Sequence, residues 1–590
     1  GPVQGDLDAS AGVWEFRGLR YAAAPTGARR FARPAPPPAH ALVTADTFAP
    51  ACPQIVGALP DACTAGGVAG DVVGDEDCLA LNVVTPAHDW PPRPVRPVMV
   101  YVHGGAFESG CEVRTTPALA ARGDVVLVRI QYRLGLLGFL GTEEMSAEDA
   151  DGSAGNWGLL DAIRALEWVR DNAAAFGGDP DDVTLFGESA GGVAVCGLLA
   201  SPLARGLFAR AIVQSGHCQI ARPLRTTPGS ALDGATQAQI GARIVAETGC
   251  PAAGPEQLDC LRALPFPAIT GVQPRLAALG LGSLQATIDG HVLDERPLSV
   301  LQRNGGEGRA LIVGSNRDEY SAVALLDPAV GARVRVDYDG AVRAGLDGLA
   351  QIFRPMPLGV LAPALLALYP DPGEPEGRVT RYAELFGDLY GNCPVLDAAR
   401  AVARDGTDVR VYEFSETVPS PVPSIAALGA FHSLDVFFVF GDLDGLTALS
   451  FQPGAEEQRV SERMMDAWSS FAARGVPATQ PAWPLWRRGH ERSFEWSAAS
   501  ASDPIRTAYR DGRCAALGRL LASIDRDGDL VPDDVDDCPV VADASQLDSD
   551  GDGVGDACEC PEARRLGPAR GSRSFPLSNV RGPCTPRVRE

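Results

Sequence analysis

The stretch Asp182-Val183-Thr184-Leu185-Phe186-Gly187-Glu188-Ser189-Ala190-Gly191-Gly192-Val193-Ala194-Val195 runs a β-branched apolar segment straight into a glycine, then into small and apolar residues that can open a helix. Within it, Gly187-Glu188-Ser189-Ala190-Gly191 has the form GxSxG. Chance alone produces such a pattern often enough that it carries little by itself. A strand before it and a helix after it make it the strained strand-turn-helix that lifts a serine hydroxyl clear of a sheet. A serine hydroxyl is a poor nucleophile until a base removes its proton, so a histidine oriented by a carboxylate must lie elsewhere in the chain.

Working outward, Leu159, Leu160, Ile163, Leu166, Trp168 and Val169 recur at helical spacing and predict a helix to Asn172, stopped by Phe176-Gly177-Gly178-Asp179-Pro180. Short β-branched runs, Pro97–Val102, Val125–Ile130 and Ala310–Val313, alternate with longer helical patterns. The expected fold class is therefore α/β, a mostly parallel sheet flanked by helices, in one large domain over residues 1–522. Val102-His103-Gly104-Gly105-Ala106-Phe107 follows one of these strands. Its small residues let backbone amides face a developing oxyanion, which makes Gly105, Ala106 and Ala190 the candidate donors. His103 is expected to shape that loop. Seven histidines are available as the base. His432, in Ala430-Phe431-His432-Ser433-Leu434-Asp435, is the best placed, although a lone histidine is more often structural.

Composition bounds the partners. The chain has 590 residues, 45% of them apolar, and a formal charge of −24. That supports a sizeable core and argues against nucleic acid or an anionic membrane surface as partner. No run suits a membrane-spanning helix, and Gly1-Pro2 opens no basic-then-apolar leader, so a soluble, already trimmed chain is expected. Fourteen cysteines without zinc-type spacing point to an oxidising compartment, hence a secreted, periplasmic or cell-surface protein.

Further motifs stand along residues 1–520: Phe16–Ala22, Glu76-Asp77-Cys78-Leu79-Ala80-Leu81-Asn82-Val83, His103–Phe107, Gly155–Asp161, Asn172–Gly191, Gln214-Ser215-Gly216 and Phe431-His432. In these the chain resembles the type B carboxylesterases, the α/β-hydrolase group that includes cholinesterases and neuroligins. The resemblance implies Ser189 as nucleophile, His432 as base and, from Gly314-Ser315-Asn316-Arg317-Asp318-Glu319-Tyr320, Glu319 as acid, with Asp318 its neighbouring alternative. It implies no cofactor for catalysis and a small-molecule ester as substrate. It also implies bridges Cys52–Cys78, Cys250–Cys260 and Cys393–Cys514. Two departures narrow the branch. Val68–Gly74 lacks the aromatic residue with which cholinesterases hold a quaternary ammonium. Leu279–Leu284 lacks the aromatics that narrow their acyl pocket, so a wider, apolar acyl pocket is expected.

From Asp525 the composition changes. Residues 525–560 hold twelve Asp and one Glu against one Arg, contributing −12, half the net charge. Asp525, Asp527, Asp529, Asp533 and Asp536, then Asp548, Asp550, Asp552 and Asp556, place carboxylates around glycines as a hard cation requires. With Cys538-Pro539 and Gly555-Asp556-Ala557-Cys558, the passage resembles thrombospondin type 3 repeats. That implies structural Ca²⁺, a Cys538–Cys558 bridge and possible contact with a cell surface or matrix. Residues 523–560 are thus read as a calcium module and 561–590 as an Arg-rich, weakly ordered tail. The leading function is a serine carboxylesterase that is not a cholinesterase. A neuroligin-like binding protein, or an amidase or polyester hydrolase on the same triad, are the alternatives.

Overall fold

A computed structural model describes residues 1–57, 63–64, 66–88, 95–219, 221–225, 236–276, 284–352, 358–403, 407–507 and 509–523. The acidic passage, the Arg-rich tail and Leu279–Ser283 lie outside the described residues.

The core is a sheet of strands β1 (Asp6–Asp8), β2 (Val13–Arg20), β3 (Ala80–Pro86), β4 (Arg96–Val102), β5 (Val126–Ile130), β6 (Gly178–Glu188), β7 (Arg210–Gln214), β8 (Ala310–Asn316), β9 (Val409–Phe414), β10 (Ser493–Trp496) and β11 (Ile505–Arg506). Their order across the sheet is β11-β10-β9-β8-β7-β6-β4-β5-β3-β2-β1. The run from β5 to β10 is parallel, and antiparallel strands close both edges.

Residue type explains why the central strands sit here. In β4, Val98, Val100 and Val102 pack into one apolar cluster, while Met99 and Tyr101 pack into the other. Leu185 and Phe186 of β6 divide the same way, as do Val313 and Ile312 of β8. A strand whose two faces are both buried must be apolar at every position, and each fully buried side chain of this size contributes roughly 1.5–3 kcal/mol. Helix α1 (Trp157–Asn172) covers one face, and a Gly177 in left-handed conformation (φ 85°) turns the chain into β6. Helices α2 (Ala190–Ala200), α3 (Leu434–Phe440) and α4 (Ala455–Arg474) complete the layers near the site.

The bridges Cys52–Cys78, Cys250–Cys260 and Cys393–Cys514 are present. Cys63–Cys111 and Cys196–Cys218 are also joined, two pairings the sequence reading left unassigned. A bridge of this kind typically stabilises by about 2–4 kcal/mol. Cys538 and Cys558 lie outside the described residues. Among the described residues no helix is long and apolar enough to cross a membrane.

Candidate active site

Four adjacent parallel strands, β4, β6, β7 and β8, end level with one another: Val102 pairs with Gly187, Glu188 with Gln214, and Gln214 with Gly314. The loops leaving their carboxyl ends converge, as is usual for ligand sites in open α/β sheets. They carry His103–Gly110, Ser189, Ser215 and Glu319 in turn.

Ser189 sits at φ 56°, ψ −124°, a strained conformation that points its side chain away from the turn. Its amide donates to Gln214 O at 2.9 Å, and α2 starts at the next residue. A side chain at Gly191 would place Cβ 2.0 Å from Val102 O, so only glycine lets α2 approach the end of β4 this closely. Ala190, as the first residue of α2, has an amide with no partner within its own helix, at the positive end of the helix dipole.

In the facing loop, Gly105, Ala106 and Phe107 have φ of 107°, 57° and 62°. Glu108 N and Ser109 N donate to Gly105 O at 2.9 Å, and Gly135 N donates to Phe107 O at 2.7 Å. The run of positive φ is thus pinned at both ends. His103 is buried and stacks on Tyr132, with ring centroids 4.6 Å apart. Burial pushes its pKa down to about 4, and Tyr132 Oη donates to His103 O at 2.8 Å.

Glu319 and Asp318 are adjacent in sequence but separated in role by their partners. Glu319 is buried. One oxygen accepts from Ser215 Oγ at 2.6 Å and from Asn316 N at 2.8 Å, and the other meets His432 Nδ1. Burial alone would raise its pKa, but His432 and these hydrogen bonds outweigh burial and hold it below the usual carboxylate range. Asp318 instead accepts from Ala430 N at 2.8 Å and pairs with Arg317 at 2.7 Å.

His432 has a second acidic neighbour. Glu188, inside the GxSxG pattern, places Oε1 3.3 Å from His432 Nε2 and also accepts from Ser433 Oγ at 2.5 Å. Burial pushes Glu188 up to about 7. Burial also works against charge on the imidazole, but Glu188 and then Glu319 outweigh it, so the His432 pKa is raised. Behind the site, Asp435 is fully buried and accepts from Gln214 Nε2 at 2.9 Å, Asn316 Nδ2 at 3.0 Å and Tyr412 Oη at 2.6 Å. This ties the ends of β7, β8 and β9 to the segment that carries His432.

Ser189, Ala190, Ala106, Glu319 and His432 line one cavity of about 290 Å³, with Phe107, Val193, Leu284, Ala286, Tyr320 and Tyr390 among its other walls. The residues singled out in sequence for the triad therefore come together here, as do Ala106 and Ala190 of the candidate oxyanion donors, with Gly105 adjoining in the same loop. Sequence reasoning missed the roles of Glu188, Ser215 and Asp435. All three lie in or beside the motifs, but their partners are remote in sequence, so no local signal marks the contacts. Among the described residues no group of three or more His, Cys, Asp or Glu is arranged to hold a metal ion; the acidic passage at 525–560 lies outside them.

Comparison with known proteins places these features in context. Residues 1–516 match the model of the Carboxylesterase family. The chain is 33% identical over 500 residues to acylcarnitine hydrolase of Rattus norvegicus, a match covering 82% of this chain and 84% of that protein. It is 32% identical over 506 residues to para-nitrobenzyl esterase of Bacillus subtilis (strain 168), covering 84% and 92%. A solved structure of a PNB esterase aligns with a TM-score of 0.68 at 29% identity, over 88% of this chain and 97% of that one.

Proposed function

Because this chain belongs to the carboxylesterase family and is a carboxylic ester hydrolase, we propose that it works through an acyl-enzyme formed on Ser189, with His432 as base and Glu319 as its orienting acid. The observation that carries this reading is the shared cavity of Ser189, His432 and Glu319, in which Glu319 engages Nδ1 and leaves Nε2 for proton transfer. Ser189 Oγ attacks the ester carbonyl as its proton passes to His432 Nε2. The carbonyl oxygen becomes an oxyanion facing the amides of Gly105, Ala106 and Ala190. Collapse breaks the bond to the alkoxy oxygen, which leaves as the alcohol with the proton from His432. Water then repeats the sequence on the acyl-enzyme and releases the acid.

The substrate is an uncharged ester rather than a choline ester. Val68–Gly74 has no aromatic residue, and among the described residues the acid lining the cavity is Glu319, already engaged by His432, beside the apolar Phe107, Val193, Leu284, Ala286 and Val323. A panel of p-nitrophenyl esters run beside acetylcholine and butyrylcholine tests the reading. Butyrate or longer acyl groups should exceed acetate, with no advantage for choline. A strong preference for acetylcholine would refute the substrate assignment.

Glu188→Gln provides a pH test. The Glu188 charge favours the imidazolium, so removing it lowers the His432 pKa. The base is competent only when neutral, and the acid limb of the kcat/KM profile should therefore move about one pH unit or more lower. An unmoved limb would mean that Glu188 does not bear on His432 in solution.

Residues 525–560 form a calcium-ordered module that plays no part in the chemistry, and the carboxylate spacing and charge density support this. The five bridges among the described residues support an extracytoplasmic, oxidising location. Calorimetry on the full chain should detect calcium binding, and EDTA should raise protease sensitivity after Ser523 while leaving hydrolysis of a small ester nearly unchanged. Immediate loss of activity on chelation would contradict an independent catalyst.

A further inference from the structure

The segment after β7 is held against the nucleophile helix at two points. Gly192 of α2 and Gly216 are in backbone contact, since a Cβ on Gly216 would lie 2.6 Å from Gly192 C. One turn further along the same face of α2, Cys196 is bonded to Cys218. Cys218 O in turn accepts from Leu298 N at 2.9 Å. His217 stands between these anchors, buried at 4% exposure, and its side chain lines the catalytic cavity.

Its ring meets Tyr390 edge to face, with centroids 5.3 Å apart and planes at 71°. Tyr390 is fixed as firmly. It belongs to the π-helical turn Asp388–Asn392, in which fully buried Asp388 accepts from Tyr369 Oη at 2.7 Å and Arg510 Nε at 2.7 Å. The Cys393–Cys514 bridge follows at once. Two aromatic rings, His217 adjacent to one disulfide and Tyr390 three residues from another, thus stand in the cavity beside Leu284 and Ala286. Leu284 ends the stretch where the resemblance puts the acyl pocket.

We propose that His217, braced against Tyr390 and locked by the Cys196–Cys218 bridge, is the end wall of the acyl pocket and sets the length of acyl group this enzyme accepts. This rests on Ser189 being the nucleophile of the cavity. The mechanism uses neither ring, and a wall held by covalent bonds cannot yield to a longer chain as a mobile loop would. Burial pushes the His217 pKa down to about 4, so the acyl chain meets an uncharged ring at neutral pH. Bulk, not charge, is what it contributes.

The test is the ratio of kcat/KM for p-nitrophenyl octanoate to that for p-nitrophenyl butyrate, measured on single preparations so that the folded fraction cancels. His217→Ala should raise the ratio roughly tenfold or more, the scale on which hydrophobic pockets discriminate by methylene groups. His217→Phe, which keeps a ring, should leave it near the wild-type value. The paired Cys196→Ser and Cys218→Ser variant should move it in the same direction as His217→Ala, and it carries the test if that variant gives no soluble enzyme. A second series holds butyrate constant and varies the alcohol from methyl to p-nitrophenyl, and His217→Ala should leave this order unchanged. The proposal is overturned by an unmoved acyl ratio, by His217→Phe behaving like His217→Ala, or by a change confined to the alcohol series. Wild-type enzyme inert to the whole series would overturn the triad reading as well, whereas activity with an unmoved ratio overturns this proposal alone.

Discussion

Replacing Ser189 with alanine should lower kcat for p-nitrophenyl butyrate by about 10⁶, while the circular dichroism spectrum and melting temperature stay close to those of the parent enzyme. The two halves of this expectation have separate causes. The fold survives because the strained turn is imposed by its surroundings. Ser189 N is held to Gln214 O, α2 begins at Ala190, and the backbone contact at Gly191 does not involve the serine side chain. Alanine adds no atom to that turn. Activity disappears because the acyl group then has nothing to bond to, and only the oxyanion amides and binding remain, worth about 10³–10⁴ over water in related chemistry. Activity within tenfold of the parent would remove Ser189 from the mechanism.

Glu319→Gln should cost about 10⁴ in kcat, and Asp318→Asn far less, although the two residues are neighbours. In the glutamine variant the amide oxygen can still accept from Ser215 Oγ and Asn316 N, which fixes the orientation of the new side chain. Its NH₂ then faces His432 Nδ1 and donates to it. The imidazole is forced to carry its own proton on Nε2, where it can no longer take one from Ser189. Asp318 contributes instead a partly exposed pair with Arg317 and a bond from Ala430 N, interactions of small net value. Its replacement is expected to lower the melting temperature slightly and leave kcat within about tenfold. Steady-state kinetics on both variants decide the matter. Equal losses, or a larger loss in Asp318→Asn, would reassign the acid.

The site as a whole behaves as a set of nested constraints. Ser215 holds Glu319, Asn316 holds Ser215 at 3.2 Å, and Asp435 holds Asn316. Each member of the chain is buried, so each interaction acts without competition from water. Rigidity of this kind suits a reaction in which the proton acceptor must stay aligned through two successive transfers.

Much of this was legible in residue order because the causes are local. Alternation of Val98, Met99, Val100, Tyr101 and Val102 specifies a strand buried on both faces whatever surrounds it. The glycines about Ser189 specify a turn too tight for side chains, and Gly104-Gly105-Ala106 specifies a loop whose amides are uncovered. Such features follow from sterics within a few residues, and they were sufficient to indicate an α/β sheet with a nucleophile at a strand end. Residue order marked His432 only as the best placed of seven histidines, and its role as base, like the choice of Glu319 over Asp318, rested on the family resemblance.

What tertiary structure alone decided are the contacts between remote segments. Glu188 beside His432, Ser215 beneath Glu319, Cys63 joined to Cys111 and His217 against Tyr390 each bring together residues from separate strands or loops. Nothing in the local sequence marks them, because a carboxylate, a hydroxyl or a thiol has the same chemistry whichever partner it meets. The register of β4, β6, β7 and β8, which brings the carboxyl ends of four strands level only after the whole sheet has formed, sets where Glu188, Ser215, His217 and Glu319 stand, while His432, Tyr390 and Cys63 come from segments outside those strands. The same dependence separates Asp318 from Glu319: both side chains are acidic and one residue apart, and only the backbone of Ala430, delivered from more than a hundred residues away, turns one carboxylate outward and leaves the other to the imidazole.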